Sequence, residues 1–211
     1  MRDRSKSAVH LFNKYAEKYS SKFKNLENYH DGFNFLCSHL PKKSSLLDMA
    51  CGPGNISNYL LSVRPDFKIL GIDLAPKMIE IAKTSNENAD FKLGDIREIH
   101  SLNQTFNAIV LGFGLPYLSK EYAKQVIKYA HACLTKNGLI YISTMEGKYS
   151  DSGYQKSSDG KDEMFIYKHK PEYIQRFLKS VGFEIIWEKH QPYFEGEVLR
   201  FTDYIVIAKK S

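Results

Sequence analysis

Cysteine is scarce in this 211-residue chain: Cys37, Cys51 and Cys133 are odd in number, far apart and without a C-x-x-C pair. That pattern argues against a disulfide framework and a zinc knuckle. The seven histidines are scattered and never fall at H-x-x-x-H, so no metal site is expected. Long apolar runs are missing too. Nothing approaches the roughly 18 apolar residues that span a bilayer, and the opening MRDRSKSAVHLFNKY has no apolar signal-peptide core. The expectation is a cytoplasmic protein with no membrane partner. No internal repeat is found either.

What is present is an ordinary globular composition, 43% apolar and 26% charged. The length suffices for one domain with a sizeable core, and residues 1–211 are read as a single domain. The net charge of +6 is uneven: residues 1–45 hold nine Lys/Arg against four acids, or +5. Such a basic segment could attract an anionic acceptor or nucleic acid, although a solvated helix face is the favoured, plainer reading.

Along the chain, Val9, Phe12, Ala16, Tyr19 and Phe23 recur at spacings of three and four, which predicts a helix over 7–24. A second helix is expected over 28–39, ending near Pro41. SSLLDMA then begins a buried strand broken by Gly52-Pro53-Gly54. From there strands (FKILGID, ADFKLGD, FNAIVLGFG, LIYIST) alternate with helices over 55–63, 76–83 and 120–134. Residues 147–161 are polar and rich in Ser, Gly, Asp and Lys and read as a loop. MFIYKH is a possible short strand, Pro171 opens a late helix, and GFEIIWEKH and FTDYIVIAKK are terminal strands. The alternation specifies an α/β, doubly wound, mostly parallel sheet with an antiparallel edge strand. Ligands of such sheets sit beyond the carboxyl ends of the strands, where strand order reverses. The loop at Gly52 should be that point.

The chemistry centres on LLDMACGPGN, residues 46–55, a strand ending in a Gly-x-Gly turn that leads into a helix. Glycine there lets a ligand approach the backbone. Asp73 ends the second strand and could accept both hydroxyls of a ribose. Asp95 ends the third strand and could take adenine amino hydrogens. Each also has a plainer reading: Asp73 as a helix cap and Asp95 as a turn residue. Three such elements on one sheet edge match an adenosine attached to an amino-acid tail.

With Leu46-Leu47-Asp48-Met49-Ala50-Cys51-Gly52-Pro53-Gly54 in place, the chain resembles the class I S-adenosylmethionine-dependent methyltransferases, from about Leu46 to Gly147. Ala50 departs from the family's first glycine. The resemblance implies about seven strands, a Rossmann-like core over 44–211 and a helical lid over 1–43. It implies S-adenosyl-L-methionine as cofactor and S-adenosyl-L-homocysteine as product. The turn residues Ala50, Cys51, Gly52 and Gly54 would cradle the methionine portion, with the Cys51 thiol a packed group rather than a nucleophile. Asp73 would hold the ribose. Leu74 and Met78 would lie on the adenine, with Met78 as plain core the alternative. Asp95 and Ile96 would define the adenine edge, and Gly112 and Phe113 would line the methionine side. Tyr15 and Tyr19 would offer aromatic faces to the sulfonium, unless they are only core.

Gly114-Leu115-Pro116-Tyr117 lacks the side-chain carbonyl of the Asn/Asp-Pro-Pro-Tyr motif of DNA amino-methyltransferases, so a small-molecule acceptor is favoured, with nucleic acid left open by the basic segment. Tyr117, Glu146 and His169 are candidate proton acceptors, His169 alternatively a surface residue. The rivals are a catalytically silent S-adenosylmethionine-binding regulator and a nicotinamide-dependent oxidoreductase. The latter would want G-x-G-x-x-G, and Gly52-Pro53-Gly54 continues Asn55-Ile56-Ser57.

Overall fold

The structure is a computed structural model and describes residues 5–156 and 160–211. Residues 1–4 of the expected lid and 157–159 of the expected polar loop lie outside the described residues.

The amino-terminal helix is two helices, α1 (Ser5–Lys14) and α2 (Ala16–Lys22), jointed at Tyr15 with φ −113° and ψ 21°. Tyr15 N–H still donates to Leu11 O and Tyr19 N–H to Tyr15 O. The joint is therefore a bend, which the apolar spacing alone does not reveal. A 3-10 turn at Glu27–Tyr29 leads into α3 (His30–Ser38).

Strand β1 (Ser45–Met49) follows, with Leu46, Leu47 and Met49 fully buried, as a strand covered on both faces requires. Next come α4 (Asn55–Val63), β2 (Lys68–Asp73), α5 (Pro76–Ser85) and β3 (Asp90–Leu93). Pro76 sits in the first turn of α5, where its missing N–H costs nothing. Strand β4 (Phe106–Gly112), α6 (Lys120–Cys133) and β5 (Leu134–Met145) complete the alternating part. Ser119 caps α6 by accepting from Tyr122 N–H, and its stripe Ala123, Val126, Ile127, Ala130 and Cys133 is buried.

Within the stretch 147–161 the described residues 147–156 hold more regular structure than their composition suggests. They hold a 3-10 turn (Tyr149–Asp151) and β6 (Gly153–Lys156), which pairs antiparallel with β7 (Glu163–Ile166). Gln155 and Lys156 are exposed, so β6 has no apolar face to betray it. Helix α7 (Pro171–Ser180) buries Ile174 and Leu178, and β8 (Phe183–Glu195) and β9 (Val198–Lys210) close the chain as a hairpin turning at Gly196.

The seven-stranded sheet has the order β3-β2-β1-β4-β5-β9-β8. Strands β1 to β5 are parallel, and β9 runs antiparallel to both β5 and β8. Strand order reverses between β1 and β4, so the carboxyl ends at Met49 and Gly112 flank the switch point. On one side of that point Ala16, with Val9, Phe12 and Tyr19, packs on Ala75 and Met78, laying α1 and α2 over α5. Among the described residues no helix is long and apolar enough to cross a membrane.

Candidate functional site

The turn after β1 carries its sequence departure visibly. Ala50 stands at φ +55° and Gly52 at φ +54°, with Gly54 at φ +81°. A left-handed conformation costs a residue with a Cβ roughly 1–2 kcal/mol, so Ala50 holds strain that glycine would not. Glycine at 54 is fixed by close packing: a Cβ there would sit 2.6 Å from Asn86 Nδ2. At Gly52 the same atom would meet nothing within 4 Å. That side of the turn opens into a cavity.

The cavity has a volume of about 250 Å³ and lies at the switch point. Ala50, Cys51, Gly52, Gly112 and Phe113 line it, and Tyr19 and Tyr117 also border it. Phe113, at φ +56°, is held by its N–H donating to Ser143 O at 3.0 Å and Oγ at 3.2 Å. Thus seven residues expected near a ligand are brought together: Tyr19, Ala50, Cys51, Gly52, Gly112, Phe113 and Tyr117. Burial pushes the Cys51 thiol well above its ordinary range, as befits a packed group.

Asp73 lies behind this turn. Its Oδ2 accepts Gly52 N–H at 3.0 Å and its Oδ1 accepts Ala75 N–H at 2.8 Å. Burial raises its carboxyl, and the amides of Ala75, Gly52 and Leu74 pull the other way. Asp48 is more isolated. Its Oδ2 accepts the Ser57 hydroxyl at 2.6 Å while Oδ1 has no partner among the described residues. Burial pushes its carboxyl up to about 7, against the opposing Ser57 bond, and the charge of Asp73 adds to the rise.

The adenine side differs from expectation. Asp73, Leu74, Met78, Asp95 and Ile96 do not border the cavity. Met78 is 1% exposed and packs under Ala16 and Tyr19, so lid side chains cover its face. Ile96 packs into the core with Leu47, Ile72 and Ile99. Asp95 is turned onto Arg97: Oδ1 accepts the backbone N–H and Nε, both at 2.9 Å, and Oδ2 accepts Nη2 at 2.6 Å. Tyr15 also points elsewhere, its hydroxyl donating to Asp162 Oδ2 at 2.6 Å beside Lys14 Nζ, also at 2.6 Å.

Of the three candidate bases, only Tyr117 reaches the cavity, and burial raises its phenol far enough that it stays neutral. Glu146 lies outside, with His190 Nδ1 at 2.8 Å from Oε2. His169 is neither exposed nor at the cavity. Its ring is fully buried, and Nε2 donates to Leu115 O at 3.1 Å and Leu118 O at 3.2 Å. Burial lowers its affinity for a proton. It fastens the turn that carries Tyr117 and does not itself line the cavity.

The sequence reading missed the other end of the cavity, where Tyr29, Met145, Tyr193, Phe201 and Asp203 form the wall. Asp203 is fully buried, and its Oδ2 accepts the Tyr29 hydroxyl at 2.8 Å. A signal existed: Asp203 is in phase with buried Ile205 and Ile207 on β9, an acid at a core-facing position.

A family model described as a methyltransferase domain matches residues 46–138. A demethylmenaquinone methyltransferase from Thermotoga maritima is 28% identical over 143 residues, covering 65% of this chain and 61% of the relative. The chain spans between 34% and 61% of the length of the first curated relatives it matches. Among solved structures, magnesium protoporphyrin IX methyltransferase from Synechocystis PCC 6803 with bound S-adenosylmethionine superposes with a TM-score of 0.74 at 16% identity, covering 100% of this chain and 99% of that one. The 1,6-didemethyltoxoflavin-N1-methyltransferase of Burkholderia thailandensis also gives 0.74 at 16%, covering 100% and 91%. At these identities the two structures are alike in fold.

Proposed function

With a methyltransferase-domain family model matched at residues 46–138, we propose that this chain is a class I, Rossmann-like S-adenosylmethionine-dependent methyltransferase and that it moves a methyl group from S-adenosylmethionine to a small-molecule O, N or C nucleophile. S-adenosylhomocysteine is the other product. The observation that carries this reading is the turn at the switch point, where Gly52 presents an open face to the cavity and its N–H braces Asp73. These residues fit the cofactor: the open turn takes an amino-acid tail, and the Asp73 carboxylate, aligned by two amides, would be reached by a diol once α1 and α2 move. The bound sulfonium supplies an electrophilic methyl and a neutral thioether leaving group.

The chain's own residues do the rest. The backbone of Ala50, Gly52 and Phe113 shapes the methionine end, and Tyr19 offers a π face to the cation. Asp73 orients the ribose. A cavity of about 250 Å³ is below the roughly 300 Å³ at which drug-sized sites begin, and the lid packs over Met78. Helices α1 and α2 therefore lift off α5 to admit the adenosine and close again over it. We take residues 1–211 as one domain on this ground, with α1 and α2 the moving part and α3 fixed in the core through Phe33 and Leu36. The space walled by Tyr29, Tyr193, Phe201 and Asp203 is left for an acceptor, which favours an enzyme over a silent binding subunit.

Isothermal titration with S-adenosylhomocysteine tests the reading. Micromolar binding is expected, and Asp73→Ala should weaken it by about 1.5–3 kcal/mol, the range for hydrogen bonds to a charged group. Binding of NAD with no binding of S-adenosylhomocysteine would transfer the site to the oxidoreductase reading.

A further inference from the structure

Among the described residues bordering the cavity only two carry ionisable side chains of the charged type, Lys22 and Asp203. Lys22 is on the lid beside Phe23, its Nζ 5.5 Å from the ring centroid. Asp203 lies at the opposite end, on β9 opposite Met145 and so at the same sheet edge as Gly112. Its surroundings are aromatic. Tyr29 stands edge-on to Phe113 at 5.2 Å, and Tyr193 stacks on Phe201 at 4.7 Å with the rings 2° apart.

A buried carboxylate needs partners for both oxygens. Oδ2 of Asp203 has Tyr29; Oδ1 has none among the described residues. The charge nearby is sparse: Lys168 favours the ionised form, while Glu146 opposes it. Lys168 Nζ itself lies 3.8 Å from Met145 Sδ and 6.0 Å from the Phe201 ring centroid. An unsatisfied acceptor in an aromatic slot keeps its desolvation cost uncompensated, and a hydrogen-bond donor on a ligand would recover it.

We propose that Asp203, held by Tyr29, is the acceptor-binding carboxylate of this cavity, and that the methyl acceptor is a flat aromatic molecule presenting an O–H or N–H group to Oδ1. This rests on the methyltransferase reading above. The acceptor's O–H or N–H hydrogen-bonds Oδ1 between the aromatic walls. As the oxygen or nitrogen forms its new bond to the methyl carbon, the carbon–sulfur bond breaks and its electron pair stays on sulfur. The O–H or N–H proton passes to Oδ1, and solvent takes it after product release. An acceptor that presents a carboxylate at this position is repelled, because like charges in a poorly solvated site disfavour each other strongly.

The pH behaviour follows from the same geometry. Burial pushes the Asp203 carboxyl up to about 6, against the Tyr29 hydrogen bond and the Lys168 charge. The base form is therefore gained as pH rises through about 6 in the free enzyme. The groups that face it are Tyr29, Lys168, Glu146, Tyr141 and Tyr193, and the tyrosines Tyr29 and Tyr141 are held neutral by burial.

The test uses 2-naphthol and 2-naphthoate, which share one ring frame and differ in the group presented. Their affinities for the full chain are measured by calorimetry at pH 7.5, with and without S-adenosylhomocysteine. The wild-type protein should bind 2-naphthol at least tenfold more tightly than 2-naphthoate. Asp203→Asn should abolish that preference while S-adenosylhomocysteine affinity stays within twofold, which also reports that the variant is folded. Tyr29→Phe should keep the preference at pH 8.5 and lose it at a higher pH than wild type on acidification. Equal or tighter binding of 2-naphthoate by wild type, binding of neither probe, or an unchanged preference in Asp203→Asn overturns the proposal. Loss of S-adenosylhomocysteine binding in wild type with the naphthol preference intact overturns the methyltransferase reading and leaves the site standing.

Discussion

Replacing Asp48 by Asn should make the protein more stable in alkaline solution and leave it nearly unchanged in acid. Asp48 is 1% exposed, its Oδ1 has no partner among the described residues, and burial pushes its carboxyl up to about 7. In the unfolded chain an Asp titrates near 3.9. The sign follows from proton counting: the native state binds the proton more tightly, so the group's contribution is full below about pH 4. It is lost as pH rises through about 7. A shift of three units corresponds to about 4 kcal/mol, of which about 3 kcal/mol falls between pH 5 and 8.5. Asn keeps an acceptor for the Ser57 hydroxyl and removes the charge. Urea unfolding of both proteins at pH 5, 6, 7 and 8.5 gives the difference directly, and taking the difference cancels Asp203, whose raised carboxyl slopes the same way. The variant should gain about 3 kcal/mol on wild type across that range. A difference that is flat with pH, or that falls as pH rises, would show that Asp48 is solvated or paired and would refute the burial argument.

Ala50→Gly relieves a left-handed Cβ at the cost of a more flexible unfolded chain, so a net gain of about 0.5–1 kcal/mol is expected. Thermal unfolding checks it, and a lower melting temperature would mean the Ala50 methyl group packs usefully in the turn. Asp162→Ala removes the partner of Lys14 and Tyr15. Amide exchange over Ser5–Lys22 should speed up severalfold while β1 to β5 keep their protection, and unchanged exchange in α1 and α2 would place the lid's anchorage elsewhere, on Met78 and Ala75.

The parallel strands were legible because they are buried on both faces and read as apolar runs ended by glycine or acid. The α6 stripe and Pro76 were equally plain, since periodicity and proline geometry act locally. Three features were not. The bend at Tyr15 leaves the apolar spacing of α1 and α2 unbroken. Strand β6 has no buried face. The outer half of the β8–β9 hairpin is exposed, with Phe194, Val198 and Leu199 all in contact with solvent, so alternation there carries no core signal. In the site, the turn and its acidic neighbour were readable because glycine and strand-end carboxylates have positional meaning. Glu146 and His169 were misplaced because a sequence does not show where a side chain turns after its strand ends. Asp95 was expected to face a ligand, yet Arg97 two residues on claims its oxygens. Asp203 could have been found from its phase on β9.

The central claim is that the switch point between β1 and β4 receives an adenosyl sulfonium. A crystal structure grown with S-adenosylhomocysteine tests it most directly. The amino-acid tail should lie along Gly52, the ribose hydroxyls should pair with Asp73, and α1 and α2 should have moved off Met78 to make room for the adenine. The nucleoside bound elsewhere, or α1 and α2 still packed over Met78 with the ligand present, would contradict it.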